Sequence, residues 1–364
     1  MVLFISANVA QSVVQLIRNQ QVVRSSRIVG FAERHCAVLF CKKGHVMEKI
    51  LNLLDLTTEE KEKFKAVQGR NEQIFAEFGV HEDGTPVTEK EWKEATVIVG
   101  IPNVNYLKVF PESVKYLQGK MAGPDAFAKP GILPEKCMIA GCQGAYGQSV
   151  SEHMFAMMWS IMKKLPGYRD NQFEGKWEDL GKCKTLADEN VMIIGTGDLG
   201  SSFAKLCKAF GAHTFGIRRD KTKPAEGIDR MYAFEDADSL IPEMDVIINM
   251  APAGPLTNGF MTKERLFAMK NDAIFLNGGR GGFVSSDDLY EVLHAGHLFG
   301  AGVDVLDREP LPEDHPLWKE SRCLITPHKA GFDKIPITFR KVAAISLENL
   351  RRYLSGEELM NRIR

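Results

Sequence analysis

Three residues with complementary chemistry follow short apolar segments in the second half of the sequence: Arg280, Glu309 and His328. A guanidinium group can grip a carboxylate through two parallel hydrogen bonds. An imidazole gives or takes a proton near neutral pH, and a neighbouring carboxylate favours its charged form. Together the three side chains predict a site that holds a small organic acid and transfers a proton to one of its oxygens.

A glycine-rich loop upstream indicates the reaction partner. The loop lies between an apolar run at 191–194 and a helix-period segment at 201–210, and it reads Gly195, Thr196, Gly197, Asp198, Leu199, Gly200. In a strand–loop–helix unit with this spacing, the first glycine allows a tight turn, the second admits a pyrophosphate and the third lets the helix pack on the strand. The helix N-terminus adds free N–H groups for the phosphates. The loop therefore predicts a nicotinamide dinucleotide site.

The residues after the next apolar run bear on which dinucleotide binds. An acid at this point accepts the ribose 2′-hydroxyl of NAD, whereas Arg218 and Arg219 stand here and match a 2′-phosphate. The pattern favours NADP(H). NAD(H) is the alternative, with both arginines solvated and Asp220 serving as the acid one position late.

The loop and the three residues combine into one reaction, hydride transfer to a 2-keto acid. Arg280 would hold the carboxylate and carbonyl oxygen so that the carbonyl carbon faces the nicotinamide. His328 would protonate the alkoxide as it forms, with Glu309 supporting the imidazolium. In the oxidation direction the neutral imidazole would accept the hydroxyl proton.

Alternating apolar runs and helix-period segments predict an α/β protein, and 364 residues are enough for two domains with a cleft between them. Six strands are expected between Val191 and Thr326. Helical periodicity at 148–165 carries the chain out of the first domain, and an amphipathic helix at 335–354, ending at Gly356, returns to it. The expected limits are 47–150 plus 335–364 for the substrate-binding domain and 151–334 for the dinucleotide-binding domain.

Residues 1–46 differ in composition from the remainder, since they are rich in arginine and contain one acid, Glu33. They are predicted to be an extension outside the family resemblance described below, either disordered or not native. A transit peptide is one interpretation. The other, slightly favoured, is that Met47 is the true start, because the first clear strand pattern begins there.

The amino-acid composition limits the classes of partner that the protein is expected to bind. The net charge is −1 without a basic block in the body, which argues against nucleic acid, and no apolar run is long enough to span a bilayer. The seven cysteines are odd in number and lack the spacing of zinc or redox sites, so no metal is expected. A cytoplasmic protein with reduced thiols that acts on a small molecule is the expectation.

The segments around the three residues closely resemble the D-isomer-specific 2-hydroxyacid dehydrogenases. The resemblance covers nearly everything from Met47 to the C-terminus. The matching motifs are Asn277-Gly278-Gly279-Arg280-Gly281, Val303-Asp304 through Glu309-Pro310, Thr326-Pro327-His328, Ser149 to His153, Ala122-Gly123-Pro124-Asp125, and Pro252 with Thr257.

The resemblance implies further site residues. A flavodoxin-like substrate domain and a doubly wound NAD(P)-binding domain would face each other, and N–H groups near Ala122 and Gly123 would hold the substrate carboxylate. Asp304 and the backbone of Gly278 would approach the nicotinamide. Pro252 and Thr257 would contact the cofactor, where Gly254 replaces a threonine common in relatives and loosens one contact. A homodimer is also implied.

Arginine at the ribose position is common in relatives that reduce glyoxylate or hydroxypyruvate, so the leading hypothesis is an NADP(H)-preferring reductase of these 2-keto acids. One alternative is an NAD-dependent dehydrogenase of the phosphoglycerate or lactate type, although no regulatory C-terminal domain is expected. Another is a dinucleotide-sensing binding protein of the same fold, like the C-terminal-binding-protein co-repressors.

Overall fold

The computed structural model describes residues 47–101, 110–331 and 335–364. The predictions on residues 1–46 lie outside the described residues. Within these ranges the chain forms two separate sheets, each built entirely from parallel strands.

The first sheet has the order β2-β1-β3-β4-β5, which is the flavodoxin-like order. Its central strands are apolar because helices cover both faces. The strands are β1 Lys49–Asn52, β2 Glu72–Phe75, β3 Val97–Val99, β4 Tyr116–Gln118 and β5 Met138–Ala140.

The second sheet has the order β12-β11-β10-β9-β6-β7-β8, the doubly wound order extended by one strand. The fold class predicted from sequence is confirmed. The expectation of six strands was wrong, because β8 adds a seventh. The strands are β6 Asn190–Ile194, β7 His213–Ile217, β8 Arg230–Tyr232, β9 Val246–Asn249, β10 Ile274–Asn277, β11 Gly300–Val303 and β12 Cys323–Ile325.

The helices begin and end where local chemistry dictates. Thr57 and Glu60 form a capping box at the start of α1. The last helix ends at Gly356, whose φ of 69° is the left-handed conformation that glycine tolerates best. The helices are α1 Thr58–Gln68, α2 Glu89–Glu94, α3 Gly147–Met162, α4 Leu165–Phe173, α5 Asp198–Ala209, α6 Ala237–Leu240, α7 Lys263–Ala268, α8 Ser286–His294 and α9 Pro336–Ser355. Short 3₁₀ turns lie at Asp125–Ala128, Phe234–Asp236, Ile241–Glu243, Gly281–Phe283 and Pro316–Lys319.

Helix α3 connects the two sheets. It ends earlier than its periodicity predicted, because Lys164 adopts a left-handed φ of 54° and Pro166 opens α4. Its four buried methionines, Met154, Met157, Met158 and Met162, belong to the core. Helix α3 packs along α5, the helix that follows the glycine loop. The crossing thus places the glycine loop beside the point where the chain leaves the first sheet.

Helix α9 packs against the first sheet. Tyr353 stacks on Tyr116 of β4 at a ring separation of 4.8 Å, and the Asn349 amide donates to Gln118 Oε1 at 2.8 Å. The chain end therefore returns to the substrate side, and the precise limits of the two domains stay a prediction. In the described part of the chain no helix is both long and apolar enough to cross a membrane.

Candidate active site

The structure brings the three predicted catalytic side chains together. Arg280, Glu309 and His328 line one open cavity at the carboxyl ends of β10, β11 and β12. His328 Nδ1 lies 2.8 Å from Glu309 Oε2. Because a carboxylate only accepts hydrogen bonds, Nδ1 carries the shared proton, and Nε2 is the ring nitrogen left to exchange a proton with a substrate.

The Glu309 carboxylate is held from its other side. Its Oε1 atom accepts the N–H of Leu306 at 3.0 Å. The same loop is tied to the start of α8, where the Ser286 hydroxyl donates to Asp307 Oδ1. These contacts fix the direction of the carboxylate and leave Oε2 for the imidazole.

His328 lies in a strained turn that Asp304 stabilises. Its φ of 52° is in the left-handed region, which costs a non-glycine residue free energy unless its surroundings hold it there. The N–H of His328 donates to the Asp304 carbonyl at 2.8 Å. The Asp304 carboxylate accepts from the Thr326 hydroxyl at 2.5 Å and from the N–H groups of Lys329 and Ala330 at 2.8 and 2.9 Å. Asp304 is therefore buried against the loop that presents the imidazole.

Arg280 is positioned by two buried asparagines at the ends of adjacent strands. Asn249 donates to Asn277 Oδ1 at 2.9 Å, and Asn277 donates to the Arg280 carbonyl at 3.2 Å. A Cβ atom on Gly279 would lie 2.6 Å from the carbonyl oxygen of Ala251, so only glycine fits before the arginine. The paired amides thus set the backbone from which the guanidinium extends.

Residues from both sheets line the cleft between them, a cavity of about 420 Å³. Ala122 and Gly123 lie between β4 and β5 of the first sheet, and Gly278, Arg280 and His328 lie in loops that follow strands of the second sheet. The lining residues that the sequence did not predict include three with polar side chains, Lys120, Tyr146 and Lys329. Lys329 directly follows His328 and Lys120 lies two residues before Ala122, whereas no motif marks Tyr146, which the fold brings to the cleft.

The glycine loop has the geometry that a pyrophosphate needs. Gly195 has a φ of 90°, and a Cβ atom there would lie 2.6 Å from the Ala251 backbone. A Cβ on Gly200 would lie 2.1 Å from the Gly195 carbonyl, so the third glycine allows α5 to approach β6. A Cβ on Gly197 would meet no other described atom within 4 Å, which leaves room for a phosphate. The loop therefore fits a dinucleotide.

Polar groups around the loop support the same conclusion. Within the described residues, the buried Thr196 hydroxyl has no hydrogen-bond partner, and no side chain caps the N-terminus of α5. Leu199 lines the cleft. The Asp198 carboxylate instead accepts the N–H of Gly147, at the start of α3, at 2.7 Å. The first turn of α5 can therefore offer its N–H groups to a phosphate.

Two arginines and one acid stand at the end of β7. Arg218 donates to the Lys223 carbonyl at 3.4 Å, and Arg219 is exposed. Asp220 accepts from both the N–H and the hydroxyl of Thr222, and this hydroxyl is the main reason that the pKa of Asp220 is lowered. The Asp220 carboxylate thus stabilises the turn formed by residues 220–222.

Thr257 stabilises the loop after β9 through hydrogen bonds within that loop. Its hydroxyl lies 2.8 Å from the Pro252 carbonyl and 3.2 Å from the Gly254 carbonyl, and the residue is buried. Ala251, which precedes this loop, packs on Gly195 of the glycine loop. Pro252 and Thr257 therefore shape a segment that borders the dinucleotide loop.

Comparison with known proteins agrees with this geometry. The family model for the NAD-binding domain of D-isomer specific 2-hydroxyacid dehydrogenases matches residues 155–330. Glyoxylate/hydroxypyruvate reductase A of Photorhabdus laumondii is 30% identical over 234 residues, which are 63% of this chain and 72% of the relative. Glyoxylate reductase/hydroxypyruvate reductase of Homo sapiens is 27% identical over 256 residues, 69% of this chain and 77% of the relative.

Solved structures show the same architecture. A D-isomer specific 2-hydroxyacid dehydrogenase family protein from Aeromonas salmonicida is similar with a TM-score of 0.75 at 27% identity, over 88% of this chain and 99% of that one. A D-isomer specific 2-hydroxyacid dehydrogenase from Xanthobacter autotrophicus, solved with NADPH and MES, has a TM-score of 0.69 at 26% identity, over 88% and 98%. The chain therefore belongs to the D-isomer specific 2-hydroxyacid dehydrogenase family of NAD(P)-dependent oxidoreductases.

Proposed function

We propose that this protein reduces a small 2-keto acid such as glyoxylate or hydroxypyruvate with NADPH. The observation that carries the proposal is the arrangement of Arg280 and the Glu309–His328 pair in one cavity, 2.8 Å separating the carboxylate from the imidazole. Relatives named as glyoxylate/hydroxypyruvate reductases support the substrate class.

Each residue has a defined task in this reaction. Arg280 binds the substrate carboxylate and carbonyl oxygen, and the backbone at Ala122 and Gly123 holds the carboxylate from the opposite wall. The nicotinamide, when bound, supplies the hydride. His328 donates its Nε2 proton to the oxygen that becomes negatively charged, and Glu309 stabilises the imidazolium before that transfer.

The preference for NADP(H) is proposed from the residues at the end of β7. Arg218 and Arg219 offer two guanidinium groups at the position of the ribose. Asp220, the residue that an NAD-specific site would use, has its carboxylate engaged by Thr222. The Xanthobacter relative was solved with NADPH.

Steady-state kinetics with both cofactors test this preference. We expect Arg218→Ala to raise the KM for NADPH by about 10- to 100-fold, because a hydrogen bond to a charged group contributes about 1.5–3 kcal/mol. The KM for NADH should change little. Arg230→Ala, on the edge strand β8, is the matched control. An unchanged KM for NADPH in Arg218→Ala would contradict the assignment.

The substrate is tested by following NADPH absorbance with the purified protein and a panel of 2-keto acids. Rapid consumption with glyoxylate or hydroxypyruvate is expected. Consumption of NADH but not of NADPH in the presence of a keto acid would indicate an NAD-dependent dehydrogenase. Dinucleotide binding without turnover of any keto acid would favour the sensing role over the enzymatic one.

We also propose a homodimer. Phe173 in α4 and Trp177 after it have side chains exposed to 73% and 102%, which is unusual for large apolar residues and suits a protein contact. Light scattering measures the mass directly. A monomer mass for the wild-type protein at micromolar concentration would refute this proposal.

A further inference from the structure

The Asp198 carboxylate lies where the glycine loop meets the crossing between the two sheets. Its Oδ2 atom accepts the N–H of Gly147, the first residue of α3, at 2.7 Å. The approach is so close that a Cβ atom on Gly147 would lie 2.3 Å from Asp198 Oδ1 and 2.7 Å from the Ser202 hydroxyl. Asp198 is also the first residue of α5, so the N-termini of two packed helices meet at one carboxylate.

The contact continues into the substrate wall of the cleft. Tyr146, next to Gly147, lines the cleft, and its hydroxyl donates to the Lys120 carbonyl at 2.6 Å. Lys120 begins the segment that contains Ala122 and Gly123. A chain of direct contacts therefore joins the dinucleotide loop to the backbone proposed to hold the substrate carboxylate.

We propose that Asp198 is a positioning residue that couples dinucleotide binding to binding of the 2-keto acid. Asp198 is exposed, so its carboxylate can turn either toward Gly147 or toward the N–H groups of its own helix. A bound pyrophosphate would occupy those N–H groups and repel the carboxylate toward Gly147. The Gly147 contact would then be populated more fully, which fixes Tyr146 and, through it, the substrate segment.

The coupling rests on the proposed function, because it concerns the substrate of that reaction. It predicts that the keto acid binds more tightly when the dinucleotide is present. By thermodynamic linkage, the substrate must raise the affinity for the dinucleotide by the same factor. Both affinities can be measured without turnover, which separates this proposal from the identity of the reduced substrate.

The experiment is isothermal titration of the full chain with oxalate, a planar analogue of a 2-keto acid, with and without saturating NADP⁺. For the wild type we expect oxalate affinity to increase about tenfold with NADP⁺, within the usual range of coupling between sites. Asp198→Ala should lower this ratio toward one. Its oxalate affinity with NADP⁺ should stay at the weak value of the protein without the dinucleotide. Asp198→Asn keeps an acceptor for the Gly147 N–H but removes the charge that the pyrophosphate would repel. Its ratio should also fall, with oxalate binding at the higher affinity both with and without NADP⁺.

A second variant tests the substrate end of the chain of contacts. Tyr146→Phe removes only the hydroxyl that reaches Lys120, so NADP⁺ affinity should stay at the wild-type value while the ratio falls. If Asp198→Ala does not fold or bind NADP⁺, the ratio of oxalate affinities measured for Tyr146→Phe tests the coupling.

A wild-type ratio of one, or a tenfold ratio that persists in Asp198→Ala or Tyr146→Phe, would overturn the coupling. A wild-type protein that shows the ratio but does not reduce glyoxylate or hydroxypyruvate would refute only the proposed reaction.

Discussion

Glu309 uses its two carboxylate oxygens for separate tasks. Oε1 accepts the N–H of Leu306 at 3.0 Å and orients the group, while Oε2 faces His328 Nδ1 at 2.8 Å. A single residue thereby sets both the direction of the imidazole and the sign of the charge beside it. Substitutions that keep its shape but remove its charge should therefore separate positioning from electrostatics.

For Glu309→Gln we expect kcat for keto-acid reduction to fall by about 100-fold, the lower end of what a positioned acid contributes. The amide keeps the size of the side chain but no longer stabilises the imidazolium. Steady-state kinetics with saturating NADPH measure the effect. Glu313→Gln, three residues beyond Pro310, is the control. A wild-type kcat in Glu309→Gln would show that the imidazole acts without the carboxylate.

Arg280 should not tolerate lysine. An ammonium group lacks the planar fork that binds two oxygens at once, so Arg280→Lys should lower kcat/KM for the keto acid by about 10- to 100-fold. Arg308→Lys is the matched control, because Arg308 pairs with Asp287 on the surface at 3.1 Å. Equal kinetics for the two variants would remove Arg280 from the substrate site.

At the scale of elements, the three proposed catalytic residues lie in the loops that follow three parallel strands. β10, β11 and β12 are neighbours in the sheet and in register, so the loops that follow them open at the same edge. Hydrogen bonds between Asn249 and Asn277 fix the loop after β10, and Asp304 fixes the loop after β12. These hydrogen bonds position the loops that present Arg280 and His328.

Two glycines of the dinucleotide loop should respond differently to alanine. Gly200→Ala places a Cβ atom 2.1 Å from the Gly195 carbonyl, so we expect a lower melting temperature and loss of NADPH binding. Gly197→Ala meets no described atom within 4 Å, so the melting temperature should stay while NADPH affinity falls. Calorimetry and cofactor titration distinguish the two, and tight NADPH binding by Gly197→Ala would place the pyrophosphate elsewhere.

Sequence patterns predicted elements with strong periodicity and missed weak ones. β2 and β8 were missed because they lie at sheet edges and include exposed polar residues. Arg280, Glu309 and His328 were predicted because each lies in the loop that follows an apolar strand. Tyr146 and the contact between Asp198 and Gly147 depend on how distant segments pack, and no local spacing encodes that.

At the scale of the whole molecule, a half-buried pair of acids, Glu189 and Asp245, lies at the amino ends of the central strands β6 and β9, opposite the cleft. Burial, followed by a hydrogen bond with Asp245, raises the pKa of Glu189 to about 7. The pKa of Asp245 is lowered, since hydrogen bonds from Lys270 and the Asn190 N–H outweigh the effect of burial. Folding therefore takes up a proton at Glu189 that the unfolded chain releases.

This pair makes stability depend on pH. The pKa of Glu189 is about 4.5 in the unfolded chain and about 7 in the folded protein. The protonated side chain therefore contributes stability that is fully present below pH 4.5 and is lost as the pH rises through about 7. Glu189→Gln cannot ionise, so it should be more stable than the wild type at pH 8 by about 2 kcal/mol and nearly equal at pH 5. Urea unfolding at both pH values measures this.

Glu243→Gln, an exposed carboxylate in the preceding turn, is the control and should show no such dependence. The same stability difference between Glu189→Gln and wild type at pH 5 and pH 8 would mean that folding does not raise the pKa of Glu189.

Loops from the two sheets line one cleft, and Tyr146 contacts the segment after β4 that forms one of its walls. In the proposed reaction, one proton donor must lie at the point where hydride transfer leaves negative charge on oxygen. The most direct measurement is the single-turnover rate of glyoxylate reduction by His328→Ala with bound NADPH, with exposed His294→Ala as the control. We predict a rate about 10²- to 10⁴-fold below wild type at unchanged NADPH affinity. A wild-type rate in His328→Ala would contradict the account.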